Sequence, residues 1–203
     1  MADHSTHSHG TTQRKTVPHR RLLLKGLAAL PLALPFSSAS AATARTAGTA
    51  GTTKYQLKFR HTHTDELLDV VFRDNRGYIA PAIQRMNWLL RDHRSGEMIH
   101  MDPQLFDILH ALRARCGGET FEIISGYRSP LTNASLRSHR RGVAKNSLHM
   151  DGRAIDVRLV GFDTARLSQA AVDLGIGGVG YYPRADFLHV DTGDFRTWGA
   201  ARS

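Results

Sequence analysis

Two histidines and one aspartate have the types and neighbours of metal ligands. His149 sits in Ser147-Leu148-His149, Asp156 follows seven positions later, and His189 lies in Asp186-Phe187-Leu188-His189-Val190-Asp191. Imidazole nitrogens and a carboxylate oxygen are good zinc ligands. Three of them leave a fourth position open, as catalytic zinc requires and structural zinc usually does not. Arg128 is a further candidate, in Gly126-Tyr127-Arg128-Ser129-Pro130. Gly126 and Pro130 make that stretch a shaped turn that projects the arginine, and its guanidinium fork suits a carboxylate or a developing oxyanion. His61 and His63 could also bind metal, but their place between two strand-like runs reads as an exposed turn. The basic cluster Arg137 to Arg141 reads as a solvated loop near the mouth of the site.

Positioning these residues falls to strands. Ala154 to Leu159 alternates, sending Ile155, Val157 and Leu159 to a core and Asp156 and Arg158 to the opposite face. Tyr55–Arg60, Glu66–Arg73, Phe121–Ser125, Gly178–Tyr182 and Phe187–Val190 also read as strands. Apolar residues at helical spacing predict helices over Ala80–Arg91, from Asp102-Pro103 to Gly117-Gly118, and from an Asp163 cap to Gly175. No regular βαβ alternation runs through the chain, which predicts an α+β fold with an antiparallel sheet flanked by helices in a single domain.

The 203 residues suit one domain with accessory segments. Arg20-Arg21-Leu22-Leu23-Leu24-Lys25, an apolar run to Phe36 and the small residues Ala39-Ser40-Ala41 have the layout of a secretory signal over residues 1–41. The paired arginines resemble a twin-arginine export signal. The apolar run is short and holds Pro31 and Pro35, so no stable membrane span is expected after cleavage. His4, His7 and His9 precede the expected cleavage point and are set aside as ligands. Residues 42–54 read as a flexible linker, and 55–203 as the folded domain. Of the formal charge of +9, five units belong to the chain after residue 41. That mild basicity favours an anionic partner such as a cell wall. Nucleic acid is disfavoured, because no aromatic residues interleave with the basic clusters. The lone Cys116 rules out an intrachain disulfide.

Taken together, Ser-Gly-Tyr-Arg-Ser at 125–129, Ser-x-His-x6-Asp at 147–156 and Asp-x-x-His at 186–189 resemble the zinc peptidases of the D-Ala-D-Ala peptidase and hedgehog-like fold. Gly178-Val179-Gly180-Tyr181-Tyr182 and Phe187 to Gly193 look most like the branch of periplasmic MepK-like murein endopeptidases. The resemblance spans about residues 55 to 200. It implies one Zn2+ per chain, held by His149, Asp156 and His189. It implies Asp186 as general base and Arg128 as the group holding the substrate carbonyl or carboxylate. The reaction implied is hydrolysis of peptide cross-links in peptidoglycan, by an exported, periplasmic enzyme. Two alternatives stand beside it: a D,D- or L,D-carboxypeptidase, and a non-catalytic wall-binding module. Asp191 is the rival to Asp186 as base, or a partner that orients an imidazole.

Overall fold

The computed structural model describes residues 52–139 and 142–201. The expected signal over 1–41, the linker to residue 51, and Arg140 and Arg141 of the basic cluster lie outside them. In chain order the elements are β1 (Tyr55–His61), β2 (Leu67–Asp74), β3 (Gly77–Tyr78), α1 (Ala80–Leu89), α2 (Gln104–Cys116), β4 (Thr120–Ser125) and α3 (Pro130–His139). A short 3-10 helix, Leu148–Asp151, precedes β5 (Ala154–Leu159), α4 (Thr164–Leu174), β6 (Gly178–Tyr182), β7 (Phe187–Asp191) and β8 (Arg196–Gly199).

The strands form one sheet in the order β3-β2-β1-β4-β5-β7-β6-β8. The fold is α+β, as the sequence predicts, but the sheet is mixed. Five pairings are antiparallel, while β1 with β4 and β6 with β8 run parallel. Both exceptions follow from connectivity. The chain leaves β1 through β2, β3, α1 and α2 before β4 returns beside β1, and a crossover of that length permits a parallel pair. In the run β6, β7, β8 the third strand docks on the free edge of the first and therefore points the same way.

One sheet face is apolar. Leu57, Phe59, Phe121, Ile123, Ile155, Val157, Leu188 and Val190 meet the helical stripe Leu105, Leu109, Leu112 and Leu167 in a single core. Each such side chain contributes about 1.5–3 kcal/mol by leaving water. The strand alternation that buries them turns Asp156, Arg158, Phe187 and His189 to the other face. At the helix ends, the Asp163 carboxylate accepts the Arg166 N–H at 2.8 Å, and Gly175 closes α4 with φ 65°. The second helix starts one residue later than its sequence signal: Pro103 takes the cap position, while Asp102 Oδ1 accepts the Gln104 N–H at 3.0 Å.

The stretch from Pro130 to His139 is helical, so the described part of the basic cluster is a helix end rather than a loop. Ser129 Oγ accepts the Thr132 N–H at 3.3 Å, and Pro130 fills the first helical position, a start signal that the turn reading overlooked. His61 also departs from its reading: it is buried at the end of β1, and only its neighbour His63 is exposed. Among the described residues, no helix is long and apolar enough to cross a membrane.

Candidate metal centre

Strand register builds the site. Ser125 of β4 lies opposite Asp156 of β5, Asp156 opposite His189 of β7, His189 opposite Gly180 of β6, and Gly180 beside Trp198 of β8. The five form one row across the sheet. Ser125 joins it because the β4/β5 register slips between Ile123 and Ser125, and such a bulge re-aims a side chain. His149 arrives from the 3-10 helix above the row. At the strand exit Gly126 has no freedom to change: a Cβ there would sit 2.5 Å from the Leu90 carbonyl oxygen.

One donor atom each from His149, Asp156 and His189 lies within 4.8 Å of the others. The hydrogen bonds identify those atoms. His149 Nδ1 is 2.7 Å from the Gly126 carbonyl oxygen, so Nδ1 carries the proton and Nε2 offers a lone pair. That Nε2 is 3.2 Å from Asp156 Oδ1 and 3.2 Å from His189 Nδ1. His189 Nε2–H donates to Asp191 Oδ2 at 3.0 Å, leaving Nδ1 turned inward, 2.8 Å from Asp156 Oδ1. Two imidazole nitrogens and a carboxylate oxygen thus converge, all acceptors unless one is protonated. Such a cluster calls for a cation, and the donor set is one that zinc accepts.

The electrostatics agree. Burial lowers the pKa of His149, which keeps it neutral. Burial alone would raise Asp156, but His149 and Arg128 beside it hold its carboxyl well below the usual range. Burial pushes the His189 pKa down, and hydrogen bonds to Asp156 and Asp191 more than offset it, so the net shift is upward.

Arg128 stands next to the cluster. Its Nε donates to Ser125 Oγ at 2.8 Å and its Nη2 to Asp156 Oδ2. Part of its fork is therefore committed to the aspartate, and Nη1 has no hydrogen bond among the described residues. Asp191 is fully buried and saturated. Besides His189, it accepts from Arg196 Nη2 at 2.7 Å, Arg196 Nη1 at 3.1 Å, and the N–H groups of Gly178 at 3.0 Å and Gly193 at 2.9 Å. Asp186 lies apart, in the turn before β7, with φ 50°. Its side chain is 57% exposed and its nearest cation is Arg158 Nη1 at 3.7 Å. A cleft of about 480 Å³ opens over the row, and Tyr182, Phe187, Trp198, Leu136 and Val143 are among its lining residues. Arg128, His149, Asp156, His189 and Asp191 border it, and Asp186 does not.

The family model described as "Peptidoglycan L,D-endopeptidase MepK" matches residues 49–198. The chain belongs to that family. It is 42% identical over 143 residues to Peptidoglycan L,D-endopeptidase MepK of Escherichia coli (strain K12), covering 70% of this chain and 79% of the relative. Probable peptidoglycan L,D-endopeptidase MepK of Haemophilus influenzae is also 42% identical, over 144 residues, covering 70% of this chain and 77% of that one. Zinc D-Ala-D-Ala carboxypeptidase of Streptomyces albus G is 36% identical over 95 residues, 45% of this chain and 35% of that protein.

The sequence reading did not mark Ser125, Gly178, Gly180, Arg196 or Trp198 as builders of the MepK-family site. A usable signal was present: the glycines alternate at 178 and 180, as do Arg196 and Trp198, with the period of strands that share a face.

Proposed function

We propose that this chain is a zinc-dependent murein endopeptidase that hydrolyses peptide cross-links of peptidoglycan, with one Zn2+ held by His149, Asp156 and His189. The observation that carries the reading is the convergence of three acceptor atoms within 4.8 Å at the floor of an open cleft, in a chain of the MepK family. When bound, zinc polarises the scissile carbonyl and makes water in the site more acidic. The chain's own residues do the rest. Gly126 and Asp191 fix the ring orientations of the two histidines. Arg128, lining the cleft with no hydrogen bond from Nη1 among the described residues, is suited to hold the substrate carbonyl as negative charge develops on its oxygen.

A proton must leave the attacking water and reach the leaving nitrogen as the C–N bond breaks. Two carboxylates compete for that transfer. Every acceptor position of Asp191 is engaged, which suits it to orienting His189. Asp186, three residues before His189, has only a long contact with Arg158 among the described residues and is the carboxylate left to move a proton. Its side chain has to leave Arg158 and turn toward the cleft to do so. We assign it the role of general base on that ground.

The activity named for the MepK relatives points to an L,D linkage as the bond cut. The shorter likeness to the zinc carboxypeptidase keeps trimming of a terminal residue as a second reading, in which Arg128 grips a free carboxylate. Digestion of purified sacculi with zinc-loaded protein, followed by mass spectrometry of the released muropeptides, tests both. Cross-linked dimers resolved into monomers support the endopeptidase. Loss of single terminal residues from free-ended peptides only, with capped peptides untouched, would support the carboxypeptidase instead. Export to the periplasm by the twin-arginine route belongs to the same proposal. Replacing Arg20 and Arg21 with lysine should block export, and normal export of that variant would count against the route.

A further inference from the structure

The last strand, β8, reaches His189 by two routes, one direct and one through Asp191. Trp198 places its ring centroid 5.0 Å from that of His189, and its Nε1–H donates to the Tyr182 hydroxyl at 2.8 Å. Arg196 grips Asp191 through both oxygens, and Asp191 holds His189 Nε2–H. Neither arrangement would fit over ordinary side chains. A Cβ at Gly180 would lie 2.4 Å from the Trp198 ring. A Cβ at Gly178 would lie 2.5 Å from Asp191 Oδ2 and 2.6 Å from Arg196 Nη1. Gly178 is the neighbour of Arg196 in the β6/β8 register, so the ion pair closes directly over its bare backbone.

We infer that Arg196 is a positioning residue: it locks Asp191, across the space that Gly178 leaves open, so that His189 presents Nδ1 to the metal. The inference rests on the metal reading above. Asp191 without Arg196 keeps three donors but loses the fork that fixes its plane. A carboxylate that can rotate no longer holds the imidazole in one orientation. Arg196 is 45% exposed along its side chain, and its removal leaves the apolar core untouched. Gly178→Ala attacks the same device from below. Of the atoms its methyl group meets, Asp191 Oδ2 is held by its other donors, and the half-exposed Arg196 guanidinium is the group that can move aside.

The test uses the purified chain with Zn2+ and Co2+ as probes. Zinc affinity is measured by competition with a chelating dye, the ligand field by Co2+ absorption, and folding by melting temperature. Arg196→Ala and Gly178→Ala should each keep their melting temperature within a few degrees and weaken zinc binding by about 10–100-fold, the usual cost of losing an outer partner of a metal-ligating histidine. Both should alter the Co2+ band in the same way. Arg196→Lys, which keeps the charge without the planar fork, should recover part of the affinity. Wild-type zinc affinity and Co2+ spectra in both Arg196→Ala and Gly178→Ala would overturn the inference while leaving the metal site standing. If the unaltered chain binds neither ion, the metal reading fails and this inference with it.

Discussion

Among the described residues, two histidine clusters differ in what surrounds the rings. In the first, His149 and His189 each direct an N–H outward, to a carbonyl and a carboxylate, and turn a bare nitrogen toward Asp156. In the second, His61, His63 and His93 gather where β1 ends. His63 and His93 stack with centroids 4.1 Å apart, and the His61 ring lies 5.6 Å from that of His93. There His61 Nδ1 is occupied by the His63 backbone N–H at 3.2 Å, and no carboxylate completes a ligand set among the described residues. Proximity of imidazoles is common to both. What separates them is lone-pair direction and one anionic donor. The first cluster wants a cation. The second, beside Arg91 and Arg94, resists a proton: burial first, then Arg94, His63 and His61, push the His93 pKa down to about 4, and burial and His63 lower His61.

The largest contrast should come from deleting the rings. His149→Ala or His189→Ala should abolish zinc binding and activity, while His63→Ala and His93→Asn keep the full zinc content by elemental analysis. A zinc-loaded His189→Ala would break the comparison at its base. Next comes proton transfer: Asp186→Asn should retain zinc and melting temperature but lose on the order of 10²–10⁴ in rate. Asp191→Asn should instead show its defect in metal affinity. If Asp186→Asn is fully active and metal-loaded Asp191→Asn is inactive, the base is Asp191. Arg128→Lys should be milder than the 10²–10³ lost with a whole oxyanion donor, because charge survives and only the fork is lost.

The smallest effect belongs to the second cluster and concerns stability. A histidine whose folded pKa lies below its unfolded value of 6.5 adds stability above that pH and loses it as the pH falls toward the folded value. The melting temperature should therefore drop between pH 6.5 and about 4, and His93→Asn should flatten part of that slope. A slope unchanged in His93→Asn would show that the second cluster is not strained by protonation. Cys116→Ser, at the end of α2 and away from the site residues, should leave zinc content unaltered.

Much of the framework could be read from local pattern. Alternation assigned the inner and outer faces of β5, and caps at Asp163 and Gly175 fixed the fourth helix. Those signals act within a few residues, so a single sequence displays them. β8 escaped because its four residues carry only one polar–aromatic alternation, too short to stand out from a terminal tail. The third helix escaped because Gly126 and Pro130 read as a turn, although Pro130 is the first residue of a helix begun at Ser129. Burial of His61 was invisible for a different reason. It depends on His93, 32 positions away, folding back over the strand end.

The sequence by itself determined which residues could do chemistry. His149, Asp156, His189 and Arg128 follow from side-chain type, strand parity and motif spacing, all of which are local, and the family resemblance adds two rival aspartates. Only the tertiary structure decided how they are used. Strand register put Ser125, Asp156, His189, Gly180 and Trp198 in one row. A bulge turned Ser125 into that row, and a parallel edge strand brought Arg196 onto Asp191. Hydrogen-bond saturation then divided the two aspartates, tying Asp191 to His189 and leaving Asp186 exposed. Those outcomes depend on which strands become neighbours, and pairing across a sheet joins positions whose distance along the chain carries no trace of it.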